Sequence, residues 1–471
     1  MTKKDGRTDM TQGSPLKLIL KFALPLLIGN ISQQTYNIAD SVIVGNFADS
    51  DPAVRDDCLA AIGVSMPIMF LMVALFFGIA QGATIIISQF YGAGDTKSIQ
   101  RAVNTIYLFL FITAVPLTII GLLISRPVLG LINAEGRILE YGVTYLSITF
   151  LGILPSFGFN LNSGILQGLG NSKISLMFLA ISNIVNIALD LLFIIVFGWG
   201  AAGVAAATVI AQSTAFLFGI YHINRKNYGF KILFRPSKLK FDFKLLKDVA
   251  KIGLPGGAQN ALFSIGFMFL HNLINTINST RPGFTAGFTS AQRIDAFAFL
   301  PIMSFAVAVT TFVGQNIGAG RLDRVKKGVR TSCFLGIGAS VLICLIVVPL
   351  SGNLIGMFSR TPDVIRYGQA YLFRMMPFIF ILSVQFILSN SLRGAGQAVI
   401  PLIGSVVGLW LARIPSAYII YYISPDAPEN IYFSFVIGWI LGLIPVAAYY
   451  LSGRWKTKAF RFLRSKEETN E

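Results

Sequence analysis

The chain has 471 residues, of which 54% are hydrophobic and only 13% charged, with a formal net charge of +17. No soluble domain of this length can bury so much apolar surface. Apolar stretches of about 20 residues, in contrast, cross a hydrocarbon core of roughly 30 Å as helices.

Twelve such stretches are predicted as membrane helices. Six run over 22–46, 59–88, 102–125, 140–164, 174–197 and 200–221. Six more run over 252–277, 286–314, 329–350, 368–392, 399–423 and 431–452. The first is too long for a cleavable signal, carries Pro25 and Asp40, and shows no small-residue cleavage site leading into a soluble domain. The expected fold is an all-α polytopic membrane protein.

The two sets of six repeat each other. LKLILKFALP at 16–25 returns as LKDVAKIGLP at 246–255, QFYGAGDTKSIQRAV at 89–103 as QNIGAGRLDRVKKGV at 315–329, and QGLGNSK at 167–173 as RGAGQAV at 393–399. Such duplication is the signature of a transporter built from two pseudo-symmetric six-helix lobes. The expected organisation is an N-terminal lobe over 1–221, a basic linker with an interfacial helix over 222–251, a C-terminal lobe over 252–453 and a tail over 454–471. SPLKLILK (14–21), 241–251 and 453–466 read as interfacial anchors, because apolar and basic positions alternate there at helical spacing.

The charge is sorted by topology rather than gathered on a patch. Of the 38 Lys and Arg, 29 fall in the N-terminus, the tail and every second loop; the opposite loops hold six. The positive-inside rule then places both termini in the cytoplasm of a multi-pass protein of the cell membrane. Basic loops beside an anionic leaflet account for the charge without nucleic acid. Three cysteines, two histidines and no CxxC or Cys/His cluster give no sign of a structural zinc or a thiol enzyme. No His/Asp, HxxxD or DxxD pattern suggests a membrane-embedded enzyme, and no cofactor is expected.

Chemistry must then come from polar groups that the bilayer disfavours. A charged side chain at mid-bilayer costs about 2.5–3.5 kcal/mol on insertion scales, so each needs a reason. The first lobe has two lone acids, Asp40 in TYNIADSVIVG and Asp190 in NIVNIALDLLF. Asn186 shares a helical face with Asp190. Thr208, Gln212, Gln33, Gln34, Tyr36, Asn37, Asn160, Asn162 and Asn183 add oxygens and amides. Oxygen ligands suit a small hard cation such as Na⁺, and the same carboxylates serve a proton. The repeat maps Asp40 onto Leu270, Asp190 onto Ser416 and Asn186 onto Ala412, so the acids are absent from the second lobe. That lobe holds Arg293, Asp295, Arg374 and Arg413 instead, in structural or substrate-facing roles. Pro25, which removes one backbone bond from its helix, reads as a hinge or a fixed kink about four turns before Asp40.

These segments resemble the multidrug and toxic compound extrusion (MATE) family over nearly the whole chain. The resemblance rests on LPLLIGNISQQTYNIADSVIVG, QFYGAGD, QGLGNSK with ISNIVNIALDLLF, GAAGVAAATVIAQ, AQRIDAF, GQNIGAG, and RGAGQ with LARIP. It implies two six-helix lobes that open alternately to each side, and export of organic cations and amphipathic drugs against Na⁺ or H⁺. Within the family, the chain is similar to the branch whose cation site lies in the N-terminal lobe; Asp40, Asn186, Asp190 and Thr208 match that site in kind and spacing. The other main branch carries carboxylates on helices 7 and 10, where this chain has Gln259, Asn260, His271, Arg374 and Gln385.

The function read from the chain is therefore secondary active multidrug antiport. It has small-molecule drugs, Na⁺ or H⁺, and lipid as partners, and works as a monomer. The alternative is a lipid-linked precursor flippase of the same superfamily, for which the in-membrane arginines would line a basic cavity.

Overall fold

The computed structural model describes residues 7–48, 51–131, 134–226, 228–232 and 241–457. The linker stretch 233–240 and the tail from 458 onward, with most of the expected interfacial segment 453–466, lie outside the described residues. The described chain is helical, with no strand. α1 spans Pro15–Phe47, α2 Pro52–Gly92, α3 Thr96–Leu131, α4 Gly136–Leu151, α5 Ile153–Gly168, α6 Ser172–Asp190 and α7 Gly200–Arg225. Then come α8 Phe243–Thr280, α9 Phe284–Gly318, α10 Leu322–Gly356, α11 Pro362–Met375, α12 Ile379–Gly394, α13 Val399–Ser405, α14 Ile414–Ile423 and α15 Phe433–Leu451.

Among the described residues, nine helical runs are long and apolar enough to cross a membrane, and the pair α4–α5, bent by 53°, makes a tenth. The 41-residue α2 and the 38-residue α8 complete the twelve expected spans. Helix ends lie beyond the predicted apolar cores because the helices continue into the interfacial region. Thus 15–21 and 243–251 are the first turns of α1 and α8, continuous with the spans that follow. The outer surface is apolar: Leu342, Leu345 and Ile346 on α10 are all exposed, as a lipid-facing helix requires.

The chain forms two compact units. One comprises residues up to Asp9 with Ile28–Leu254; the other comprises Met10–Leu27 with Pro255 onward. The two helices that begin the repeats therefore each change unit along their length. α1 does so two residues after Pro25, and α8 does so at Pro255. Each proline removes a backbone N–H and leaves the carbonyl four residues earlier without its helical donor, which weakens the helix at that point.

Small residues allow close packing inside each unit. In the first, Gly82 of α2 and Gly253 of α8 face each other so closely that a Cβ on either would strike a carbonyl oxygen of the other helix. In the second, the start of α1 (Ile19, Phe22, Ala23) packs on Ala308 and Phe312 of α9. The segment before it is tied to the same unit: Met10 N–H donates to Gln315 Oε1 (3.0 Å), Asn316 Nδ2 donates to Met10 O (3.0 Å), and Arg321 donates to Thr11 O (2.7 Å).

The repeated glycine motifs are helix caps. Gly94, Gly170, Gly320 and Gly396 all have φ between +70° and +82°. At each, the glycine N–H and the next N–H fold back on the last helical turn, for example Gly320 N–H to Ile317 O (2.9 Å) and Arg321 N–H to Asn316 O (2.8 Å). This paired reversal needs the left-handed conformation that glycine adopts without strain. The most conspicuous sequence repeats thus end α2, α5, α9 and α12.

Candidate cation site in the first unit

Four helices of the first unit bring the polar groups together. α6 carries Asn186 and Asp190 one turn apart, and both are buried. Asp190 is the last residue of α6; the helix then widens into a π-turn over Leu191–Val196 before the reversal at Gly198. Such turns interrupt the regular i→i−4 ladder and recur at functional sites. α1 supplies Asp40 and Tyr36, α7 supplies Thr208, and α4 supplies Tyr145.

The carboxyl groups of Asp40 and Asp190 are in hydrogen-bonding contact. Asn186 ties this pair to α7. With its amide oriented so that both ends find partners, Nδ2 donates to Asp190 Oδ2 (2.9 Å) and Oδ1 accepts from the Thr208 backbone N–H (3.2 Å). The Tyr36 hydroxyl is in hydrogen-bonding contact with Thr208, and Tyr145 lies within electrostatic reach of both acids.

The balance of charge here is unusual. Oδ1 of Asp40 and Oδ1 of Asp190 are buried with no hydrogen-bond partner, and no Lys or Arg forms an ion pair with either acid among the described residues. Two carboxylates in contact repel each other unless a proton or a cation lies between them. A buried charge also needs compensation. The arrangement supplies oxygen ligands and net negative charge, so it suits a small hard cation or a proton. Beside it, a cavity of about 30 Å³, room for roughly one water molecule, is lined by Tyr36, Asn183, Asn186 and Thr208.

The remaining candidates are distributed unevenly. Gln33 and Gln212 line the same cavity as Tyr36. Gln34 and Asn37 are one turn apart on α1, with Asn37 Nδ2 3.4 Å from Gln34 Oε1. Asn160 is exposed and donates to Ser156 O on its own helix (2.8 Å). Asn162 is fully buried away from the acids; it donates to Phe216 O (3.1 Å) and accepts from the Tyr107 hydroxyl, clamping α3, α5 and α7. Tyr145 was not singled out in the sequence, where it is one tyrosine in an ordinary apolar segment; only the packing of α4 identifies it.

In the second unit, Leu270 and Ala412 occupy the positions matching Asp40 and Asn186, and both are buried. Arg374 is held by Asn430 Oδ1 (3.1 Å) and by Glu429 (3.9 Å). Arg293 is exposed, with its guanidinium 5.6 Å from the Phe358 ring. Asp295 accepts from the Tyr371 hydroxyl (3.3 Å), and Arg413 is buried over the Phe435 ring at 4.4 Å.

The MatE family model matches residues 25–192 and again 255–419, once per repeat. The chain belongs to the MatE family. This membership makes it a multi-pass membrane protein of a transporter family. Among MatE relatives, the chain is 30% identical to the probable multidrug resistance protein YpnP of Bacillus subtilis, covering 95% of this chain and 97% of that protein. It is 25% identical to the probable multidrug resistance protein NorM of Thermotoga maritima, covering 94% of each. A solved structure described as the outward-facing conformation of a multidrug resistance MATE family transporter superposes with a TM-score of 0.86 at 23% identity, covering 98% of this chain and 99% of that one. The last likeness concerns the fold, and supports the twelve-span architecture.

Proposed function

We infer that this MatE protein is a secondary active multidrug exporter that moves drugs outward against an inward flow of Na⁺ or H⁺. Its relatives' names as multidrug resistance proteins support drug export, and they do not favour the precursor flippase. The observation that carries the coupling role is the contact between Asp40 and Asp190, each with a buried oxygen lacking a partner and neither matched by a basic side chain among the described residues. A permanent structural role would require a compensating cation, and the described residues supply no ion pair there.

In this reading the cation is a co-substrate that binds between the two carboxylates. Asn186 fixes the position of Asp190, while Thr208 and Tyr36 complete the oxygen set. Loading neutralises the repulsion between α1 and α6 and changes which arrangement of α1 is favoured. Pro25 marks the weak point at which the earlier part of α1 can reorient. Drug and cation exchange because each favours a different arrangement; neither shifts the equilibrium without such a difference in affinity. The positive-inside pattern supports cytoplasmic termini, and the site is complete within one chain, as a monomer requires.

Ethidium efflux from loaded vesicles under separately imposed Na⁺ and pH gradients tests this function. Extrusion should follow at least one gradient and stop when that gradient is dissipated. Extrusion that is indifferent to both gradients would overturn the antiport reading.

A further inference from the structure

The repeats make corresponding contacts at the starts of α3 and α10, and the two differ in charge. In the first unit, Gln100 of α3 meets the backbone of Lys231, in the linker after α7. Its Oε1 accepts from the Lys231 N–H (2.8 Å) and its Nε2 donates to the Lys231 carbonyl (2.7 Å). The register that pairs QFYGAGDTKSIQRAV with QNIGAGRLDRVKKGV maps Gln100 onto Lys326 of α10. In the second unit the chain after α15 takes the place of the linker, and Lys326 meets the side chain of Lys456. A satisfied amide in one unit is thus a pair of ammonium groups in the other.

Lys456 is held in position by its neighbours. The chain reverses after α15 at Gly453 (φ +72°), whose carbonyl accepts from the Lys456 N–H (3.0 Å). Trp455 is buried; its indole N–H donates to Tyr450 O (3.1 Å), and its ring stacks on Tyr450 at 5.8 Å. The contact with Lys326 lowers the pKa of Lys456, and the nearby Asp323 acts in the opposite sense. Asp323 forms no ion pair with either lysine among the described residues. Two ammonium groups in contact repel each other, and an anion placed between them reverses the sign of the interaction.

The surroundings indicate which anion. Lys326 and Arg330 lie one turn apart on α10, and both are exposed. Phe334, Val341 and Leu345 continue that face at helical spacing and are exposed as well. Gly338 sits among them, exposed, and nothing lies within 4 Å of a Cβ built on it. A basic pair at the end of a lipid-facing apolar stripe matches a headgroup phosphate and the acyl chain attached to it. Trp and Tyr, here Trp455 and Tyr450, are the residues that favour headgroup depth.

We propose that Lys326 and Lys456 clamp the headgroup phosphate of an anionic phospholipid whose acyl chain lies along α10 over Gly338. The lipid belongs to the leaflet that the loop charges favour as cytoplasmic. It ties the start of α10 to the end of α15, both within the second unit, and so stabilises that unit. The site shares no residue with the cation site and does not depend on the exporter reading.

The test is thermal unfolding of the purified full-length protein in detergent, titrated with phosphatidylglycerol or with phosphatidylcholine. Phosphatidylglycerol should raise the unfolding midpoint more than phosphatidylcholine does. Lys326→Gln/Lys456→Gln should raise the phosphatidylglycerol concentration for half-maximal stabilisation by about tenfold or more. Lys326→Arg/Lys456→Arg, which keeps both charges, should hold it within about threefold. Arg225→Gln/Lys226→Gln, which neutralises an exposed basic pair of the first unit, should also stay within about threefold. An unchanged phosphatidylglycerol response in the glutamine pair would overturn the proposal. An equal loss in the first-unit pair would do so by showing diffuse attraction, and equal stabilisation by inorganic phosphate by showing a site without lipid. A wild-type protein stabilised equally by both lipids would overturn it without recourse to any variant. The assay uses neither gradient nor drug, so its outcome is independent of transport.

Discussion

Asp40 on α1 and Asp190 on α6 meet carboxyl to carboxyl inside the first unit, with no basic side chain paired to either among the described residues. The energetic consequence is direct. The contact is repulsive when both groups are ionised, and it becomes favourable only when a proton or a metal cation is shared. Occupancy of the site and the packing of α1 on α6 are thereby linked.

Asn186 should govern cation affinity through Asp190. Its amide donates to Asp190 and accepts from α7. A hydrogen bond to a charged group is worth about 1.5–3 kcal/mol. Asn186→Leu should raise the cation concentration for half-maximal efflux by about tenfold or more. Thr208→Val should have a smaller effect, because its backbone N–H contact to Asn186 survives. Titration of efflux rate against cation concentration gives both numbers.

Sodium, if it is the ion used, must compete with protons. Na⁺ binds ionised carboxylates, so loading at low pH requires the release of a proton, and the apparent affinity falls as pH falls. The stabilisation that Na⁺ gives in a thermal-unfolding assay should therefore be larger at pH 8 than at pH 6. For one competing proton, apparent affinity changes by at most about tenfold per pH unit. The double variant Asp40→Asn/Asp190→Asn should lose both the stabilisation and its pH dependence.

The glycine contact between α2 and α8 should be intolerant of bulk. A side chain at Gly253 meets the carbonyl oxygen of Gly78. Overpacking of this kind costs about 1–3 kcal/mol. Gly253→Val should lower the midpoint of thermal unfolding and the yield of folded protein. Gly45→Ala on α1, where nothing lies within 4 Å of the added methyl, should leave both unchanged or slightly improved.

Pro25 should matter for turnover more than for binding. Pro25→Ala restores the N–H and a helical bond to the carbonyl of Lys21, stiffening α1 two residues before it changes unit. Efflux should slow several-fold, while the cation-induced thermal shift stays close to wild type. Pro255→Ala should slow efflux less, since α8 carries Leu270 where α1 carries Asp40. Equal effects of the two substitutions would argue for fixed kinks in both helices.

Much of this was legible in the sequence. The duplicated motifs and the charge asymmetry of the loops follow from one-dimensional patterns, so the twelve spans and two related halves could be read directly. Asn186 and Asp190 could be paired because four residues make one helical turn. Asp40 joined them by elimination, as the other lone acid of the first lobe. The rest depends on rotation and long-range contact. Asn162 has the right chemistry for an ion ligand, yet its helix turns it toward Tyr107 and Phe216, where both its ends are used in packing. Tyr145 carries no local signal at all. The exchange of helix beginnings between units was also hidden, because Met10 meets Gln315 and Asn316 across about 300 residues of chain. The GAG motifs were visible as repeats, but their role as left-handed helix caps needed the backbone.

The most direct test of the coupling site is gradient-driven ethidium efflux in vesicles by the wild type, Asp40→Asn and Asp190→Asn at matched protein levels. Each amide should abolish the response to the imposed cation gradient and reduce efflux by about 100-fold, with the folded fraction unchanged. If either variant extrudes ethidium at the wild-type rate and with wild-type dependence on the gradient, these two acids do not carry the coupling ion.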